Sequence, residues 1–251
     1  MPPADGLPTL WQYSFSNYNE KARWALDHKG IRHERRSVLP GGPRAMMFSR
    51  GGGTLPVIDL DGKRIVDSAR IIDALEIRQP EPALFPSDPD ERRRALEIAA
   101  YFTDEVGHDM RRVGFWEGRK DRTFMAAFMA TDHGAAARVQ QWAMLPVAWQ
   151  YVVRRYGFDQ ESFERSKAAL VGALDRIESE RQGRDHLVGD RFTVADLTAA
   201  SLLYPLAWPP EFQYELPEPP RSEFRESVNG HPAVDWISET WRRHRGGSAA
   251  V

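Results

Sequence analysis

The chain divides at a proline-rich break, before which the period changes several times and after which it does not. Between Gln79 and Asp90 lie four prolines, Pro80, Pro82, Pro86 and Pro89. Each removes an amide donor and fixes one backbone dihedral. Before the break, short runs of strand character alternate with helical runs. After it the spacing is helical throughout. That switch excludes an all-β sandwich and a single helix bundle. It predicts a small α/β unit over residues 1–80, a linker over 81–90 and an all-α unit over 91–251.

Within the first unit, Thr9-Leu10-Trp11-Gln12-Tyr13 reads as a short strand. Ser16 to Lys29 reads as a helix with Ser16 or Asn17 as N-cap, Glu20 completing a capping box and Gly30 as the stop. Ile31 to Val38 reads as a second strand. The segment from Pro40 to Gly51-Gly52-Gly53 reads as irregular. Two apolar runs, Leu55 to Leu60 and Lys63 to Val66, flank Asp61-Gly62, a strong hairpin signal. Ser68 then caps a helix through Leu75. In the second unit, helices are predicted over 90–112, 122–129, 134–156, 160–182, 193–204 and 232–243. The stretch from Pro205 to Pro220 holds six prolines and reads as a loop.

Composition removes several chemistries. The chain has no cysteine, so it offers no disulfide, thiolate ligand or thiol nucleophile. A formal net charge of −2 gives no reason to expect nucleic acid as a partner. The longest apolar run, near Leu197 to Trp208, is too short to span a bilayer, and no targeting segment is visible at Met1 to Gly6, so no membrane is expected and the protein reads as cytoplasmic. The seven histidines show no metal-ligand spacing, and no metal is expected. Gly51-Gly52-Gly53 precedes a strand, whereas phosphate cradles open a helix. A Gly-x-Ser-x-Gly elbow is absent.

Three positions remain. Ser16 stands where the first strand hands over to a helix, whose free amides and positive dipole end favour a bound thiolate. Pro56 opens a strand, and a cis bond there would expose the backbone of Leu55. Ser68, at another helix start, can hold a carboxylate. Taken singly, each reads first as a structural cap or bend, and X–Pro bonds are mostly trans.

Taken in order, these positions resemble the glutathione S-transferase superfamily. The resemblance is carried by Ser16-Asn17-Tyr18-Asn19-Glu20-Lys21-Ala22-Arg23-Trp24-Ala25-Leu26, Thr54-Leu55-Pro56-Val57, Asp67-Ser68-Ala69-Arg70-Ile71-Ile72 and Leu187 to Asp196. It spans nearly the whole chain. It implies a thioredoxin-like N-terminal domain that binds glutathione and an all-α helical C-terminal domain that builds the pocket of a second substrate. Ser16 falls on the catalytic position of serine-type members, with Tyr13 as the reserve catalyst. Asn17, Leu55, Pro56, Asp67 and Ser68 fall on glutathione-binding positions, with Pro56 cis. Thr193 and Asp196 fall on the capping box of a core helix. Phe15, Met110, Arg111, Phe115 and Trp116 are the expected lining of the second pocket.

The resemblance further implies glutathione as co-substrate, a small-molecule electrophile as partner, a homodimer, and a glutathione transferase acting in detoxification. A non-catalytic ligand-binding or assembly protein of the same fold stays open, as does a thiol-dependent isomerase, dehalogenase or ether-cleaving enzyme. Three departures stand out: Asn17 occupies a position where many members carry Pro, Gly114 to His133 reads as an insertion, and the proline-rich loop from Pro205 to Pro220 matches no class of the superfamily. Ser16-Asn17-Tyr18-Asn19 stands where glutaredoxin-like relatives carry Cys-Pro-Tyr-Cys, which argues against disulfide reduction.

Overall fold

The computed structural model describes residues 6–49 and 54–251. The expected glycine punctuation at Gly51-Gly52-Gly53 and the start of the chain at Met1 to Asp5 lie outside the described residues.

The N-terminal part runs β1 (Thr9–Gln12), α1 (Asn17–His28), β2 (Glu34–Ser37), α2 (Pro43–Ser49), β3 (Val57–Leu60), β4 (Lys63–Val66) and α3 (Ser68–Arg78). Its four strands form one sheet in the order β2-β1-β3-β4. β1 pairs parallel with β2 and antiparallel with β3, and β3 pairs antiparallel with β4. This is the thioredoxin-like arrangement. The hairpin between β3 and β4 turns on Asp61 (φ 48°) and Gly62 (φ 76°), both left-handed as a type I′ turn requires. Gly30 (φ 62°) ends α1 as expected.

From Pro89 onward the structure is helical: α4 (Pro89–Tyr101), α5 (Gly107–Gly118), α6 (Arg122–Met129), α7 (Ala135–Tyr156), α8 (Gln160–Arg181), α9 (Val194–Leu202), α10 (Tyr204–Ala207), α11 (Glu223–Ser227) and α12 (Pro232–His244). The expected helix over 90–112 is instead two helices joined by a wide turn of π type at Phe102–Val106, and its second half extends to Gly118. The Thr193–Asp196 capping box is present, with the Thr193 amide 2.8 Å from Asp196 Oδ2.

Five local expectations are corrected. Ser16 is the N-cap of α1, but its side chain makes no capping bond. Glu20 does not reach back to close a capping box. It is fully buried and paired with Arg23 and Arg245, each at 2.6 Å, and a charge-assisted pair outcompetes a bond to one neutral amide. The cap of α3 is Asp67, not Ser68: Asp67 Oδ1 accepts the amides of Ala69 (2.9 Å) and Arg70 (3.2 Å). The segment after Pro40 contains α2, and the proline-rich loop starts with the single-turn α10. Pro205 sits in the first turn of α10, where its missing amide costs nothing.

The core explains how the two parts hold together. α1 lies between α3 and α9, and Leu10, Trp24, Ile58, Ile71, Ile72 and Trp241 are all buried in one continuous cluster. Because α1 is covered on all sides, its polar residues must find partners inside. Lys21 Nζ donates to Thr103 Oγ1 at 2.8 Å, and Arg23 donates to Gln12 Oε1 (2.7 Å) and to the Ser14 carbonyl (2.9 Å). The C-terminal tail returns to the sheet, where His33 bridges Ala250 and Arg245 pairs with Glu20 and Asp27.

Candidate active site

The turn from β1 into α1 positions Ser16. Arg23, one and a half turns along α1, grips the carbonyl of Ser14, and Tyr204 Oη donates to the carbonyl of Phe15 at 2.5 Å. The loop is therefore clamped from both sides, and Ser16 is held at the amino end of a twelve-residue helix with its hydroxyl unspent on capping. It faces a cavity of about 700 Å³ between the sheet unit and the helices.

Most residues expected from the sequence converge on that cavity. Tyr13, Phe15, Ser16, Asn17 and Leu55 line it from the N-terminal side, and Met110, Arg111 and Phe115 line it from α5. Asn17 reaches the wall, but its side chain is engaged: Nδ2 donates to the Leu202 carbonyl and Oδ1 accepts the Tyr18 amide, each at 3.0 Å. Trp116 does not belong to the wall. It points to the other side of α5, against Trp149 and Phe163, because adjacent helical residues face about a quarter-turn apart.

Leu55 and Pro56 are joined by a cis peptide bond, as the resemblance implies and in contrast to the trans bond expected from the sequence alone. The β1–β3 ladder ends at Trp11↔Val57, so Leu55 lies outside it, at the cavity. Asp67 and Ser68, expected to bind glutathione, are not among the residues that line this cavity. Asp67 holds φ 84°, an uncommon value for a non-glycine residue, of the kind that costs on the order of 1–3 kcal/mol and gathers at functional sites. Ser68 is 1% exposed, yet its Oγ has no hydrogen-bond partner among the described residues.

Ionisation of the neighbouring groups is set mainly by burial. The Tyr13 phenol is pushed up by burial, with Tyr156 adding to the effect, so at neutral pH it keeps its proton and can donate a hydrogen bond. Tyr18 is likewise pushed up by burial, and its Oη donates to the Thr103 carbonyl at 2.6 Å. Burial lowers Lys21 to about 8 even though Asp67, Asp104 and Asp73 act to raise it.

The far wall was not foreseen. Phe124 and Phe128, one turn apart on α6, stack at 5.5 Å, and Trp208 stacks on Phe128 at 6.0 Å. Trp208 adopts φ 49°, which lets α10 end and turns the chain back along the cavity. α7 contributes Met144, Tyr151 and Tyr156. The i, i+4 spacing of Phe124 and Phe128 was the available signal, but the same spacing describes any core helix.

Two family models match: the glutathione S-transferase N-terminal domain over residues 10–83 and the glutathione S-transferase C-terminal domain over residues 140–229. Together they take in more than half of the chain and both of its parts. The chain belongs to the glutathione S-transferase superfamily. Among curated relatives, the glutathione S-transferase-like protein LUC7 of Fusarium sp. is 37% identical over 84 residues, which is 30% of this chain and 38% of that protein. The match thus spans well under half of that relative. Among solved structures, the β-etherase LigF of Sphingobium sp. strain SYK-6 superposes with a TM-score of 0.69 at 17% identity, covering 96% of this chain and 97% of that one. A glutathione S-transferase of Methylobacillus flagellatus KT with glutathione bound superposes with a TM-score of 0.65 at 18% identity, covering 94% and 95%. These superpositions show a shared glutathione S-transferase fold.

Proposed function

We propose that the protein is a glutathione-dependent enzyme of serine type, in which Ser16 and the amino end of α1 stabilise the glutathione thiolate for attack on an electrophilic small molecule. The observation that carries this reading is the Ser16 hydroxyl, held at a helix start, free of its capping bond and lining an apolar cavity. Positive dipole and free amides lower a thiol pKa at such a position. The sulfur gives up its proton to solvent and forms a bond to an electrophilic carbon, whose leaving group departs with the electron pair. The Ser16 hydroxyl donates to the sulfur and is not itself consumed.

The remaining residues fit glutathione. The Leu55 backbone lies free of the ladder for pairing with the cysteinyl part. The unpartnered Ser68 Oγ, at the amino end of α3, supplies a donor for the γ-glutamyl carboxylate. The membership in the superfamily and a fold neighbour solved with glutathione bound support the same choice of thiol.

Ser16→Ala is the test. Without the hydroxyl, conjugation to a panel of electrophiles should lose on the order of 10²–10³ in kcat, the usual cost of removing one donor to a developing anion. The ultraviolet absorbance of enzyme-bound thiolate should titrate at higher pH in the variant. Unchanged rates and an unchanged titration would move the role to Tyr13 or to a non-catalytic binding protein.

One observation favours a particular leaving group. The cavity is lined by stacked aromatic side chains, and the fold neighbour LigF is a β-etherase. Thiolate displacement of an aryl ether, with the phenoxide leaving, therefore belongs in the electrophile panel.

A further inference from the structure

The cavity wall is apolar except at a few points, and its charged groups differ in how they are partnered. Glu117 accepts the Ser222 hydroxyl and the Phe224 amide. Arg225 donates to the Pro220 carbonyl at 3.0 Å. Arg112, next to Arg111 in the chain, pairs with Asp109 at 3.0 Å. Arg111 differs from all three in entering no ion pair and no hydrogen bond among the described residues; its Nε, like that of Arg112, is buried with no hydrogen-bond partner. Its guanidinium lies 5.0 Å from the centroid of the Tyr156 ring. That ring supports one face of the cation and leaves the donor edge of the fork unsatisfied.

Arg111 is half-buried, and its buried Nε–H, with no counter-ion beside it, is a donor that an anion entering the cavity would satisfy. Its planar fork matches a carboxylate with two parallel hydrogen bonds. We infer that the second substrate is a flat, largely aromatic molecule bearing one carboxylate. Arg111 binds the carboxylate, and the aromatic body lies against Phe128 and Trp208. The inference rests on the reading above that this cavity receives the electrophile, and it names that electrophile's class. A volume of about 700 Å³ is ample for such a body, since pockets for drug-sized ligands run to a few hundred Å³ and upward.

The test uses two probes of one shape, naphthoate and the neutral naphthalenemethanol, titrated into the full-length protein by calorimetry with and without saturating glutathione. Naphthoate should bind roughly ten- to a hundredfold more tightly than the alcohol, as expected for a paired charge-assisted contact. Arg111→Met should abolish that preference while leaving the alcohol within about twofold of its wild-type affinity. Arg111→Lys, which keeps the charge and loses the fork, should restore part of it. Equal affinities in the wild type would overturn the inference. So would equal loss of both probes in Arg111→Met, which marks a structural role. Competitive displacement of naphthoate by glutathione would also overturn it, because Arg111 would then serve the thiol. Arg111-dependent naphthoate binding in a protein that does not bind glutathione would uphold the carboxylate site and sink the transferase reading instead.

Discussion

Ser68 shows how one residue separates a cap from a ligand group. Both serine and aspartate are good N-caps, and the sequence placed them side by side. The structure gives the capping bonds to Asp67 and leaves the Ser68 hydroxyl buried and unpartnered. A buried orphan hydroxyl costs stability, on the order of 1–3 kcal/mol, so Ser68→Ala should leave the unfolding midpoint unchanged or raise it. The same change should weaken glutathione binding about tenfold, the worth of one hydrogen bond to a charged group. Calorimetry and thermal unfolding on one preparation check both. A fall in stability with unchanged affinity would make Ser68 a structural residue. Ser16 reads the same way: its position was legible from the strand-to-helix change, but whether its hydroxyl was spent on capping was not. Nor was the fate of Glu20, which a capping-box pattern assigns to the helix start and which the fold gives to Arg23 and Arg245.

At the scale of elements, the wide turn at Phe102–Val106 does the joining. It brings the Thr103 carbonyl to Tyr18 Oη and the Thr103 hydroxyl to Lys21 Nζ, so that α1 and the start of α5 interlock. Gly107 makes room for this contact. A Cβ there would stand 2.5 Å from Tyr18 Oη and 2.7 Å from its ring. Gly107→Ala should therefore destabilise the protein by about 1–3 kcal/mol, as overpacking does, although alanine is the better helix former. Urea denaturation measures the change, and a Tyr18→Phe, Gly107→Ala double variant should recover part of it if the Tyr18 hydroxyl is what clashes. A stabilised single variant would contradict the interlock. Neither the turn nor the glycine was legible in the sequence. The pattern from Asp90 to Arg112 is helical in period, and a single inserted residue's worth of slack leaves that period nearly intact.

Across the whole molecule, two histidines at the junction of the two parts contribute to the response to acid. His28 packs on Phe192 at 5.4 Å, and Phe192 stacks on His244 at 4.4 Å. Burial first, then Lys29 and His244, lower His28 to about 4 from its ordinary value of 6.5. Burial also lowers His244. Between these values the unfolded chain binds more protons than the folded one, so stability rises with pH across that window. The contribution is complete above pH 6.5 and is lost as the pH falls toward 4. Denaturation midpoints should drop over that range, and His28→Gln should flatten the drop. An identical slope in the variant would assign the acid response to other groups.

The sequence by itself determined the small α/β part followed by a helical part, the hairpin at Asp61-Gly62, the Thr193–Asp196 capping box and the membership in the superfamily. All of these rest on neighbours within a few residues, or on short motifs in a set order, and local chemistry is written locally. The tertiary structure alone decided which side of α5 faces the cavity, sending Arg111 inward and Trp116 away. It also decided that Glu20, Arg23 and Arg245 meet in the core, and that Phe128 and Trp208 close the far wall. These outcomes depend on partners far along the chain. A period of 3.6 residues says that a helix has an apolar face, while the packing against distant elements selects what that face will touch.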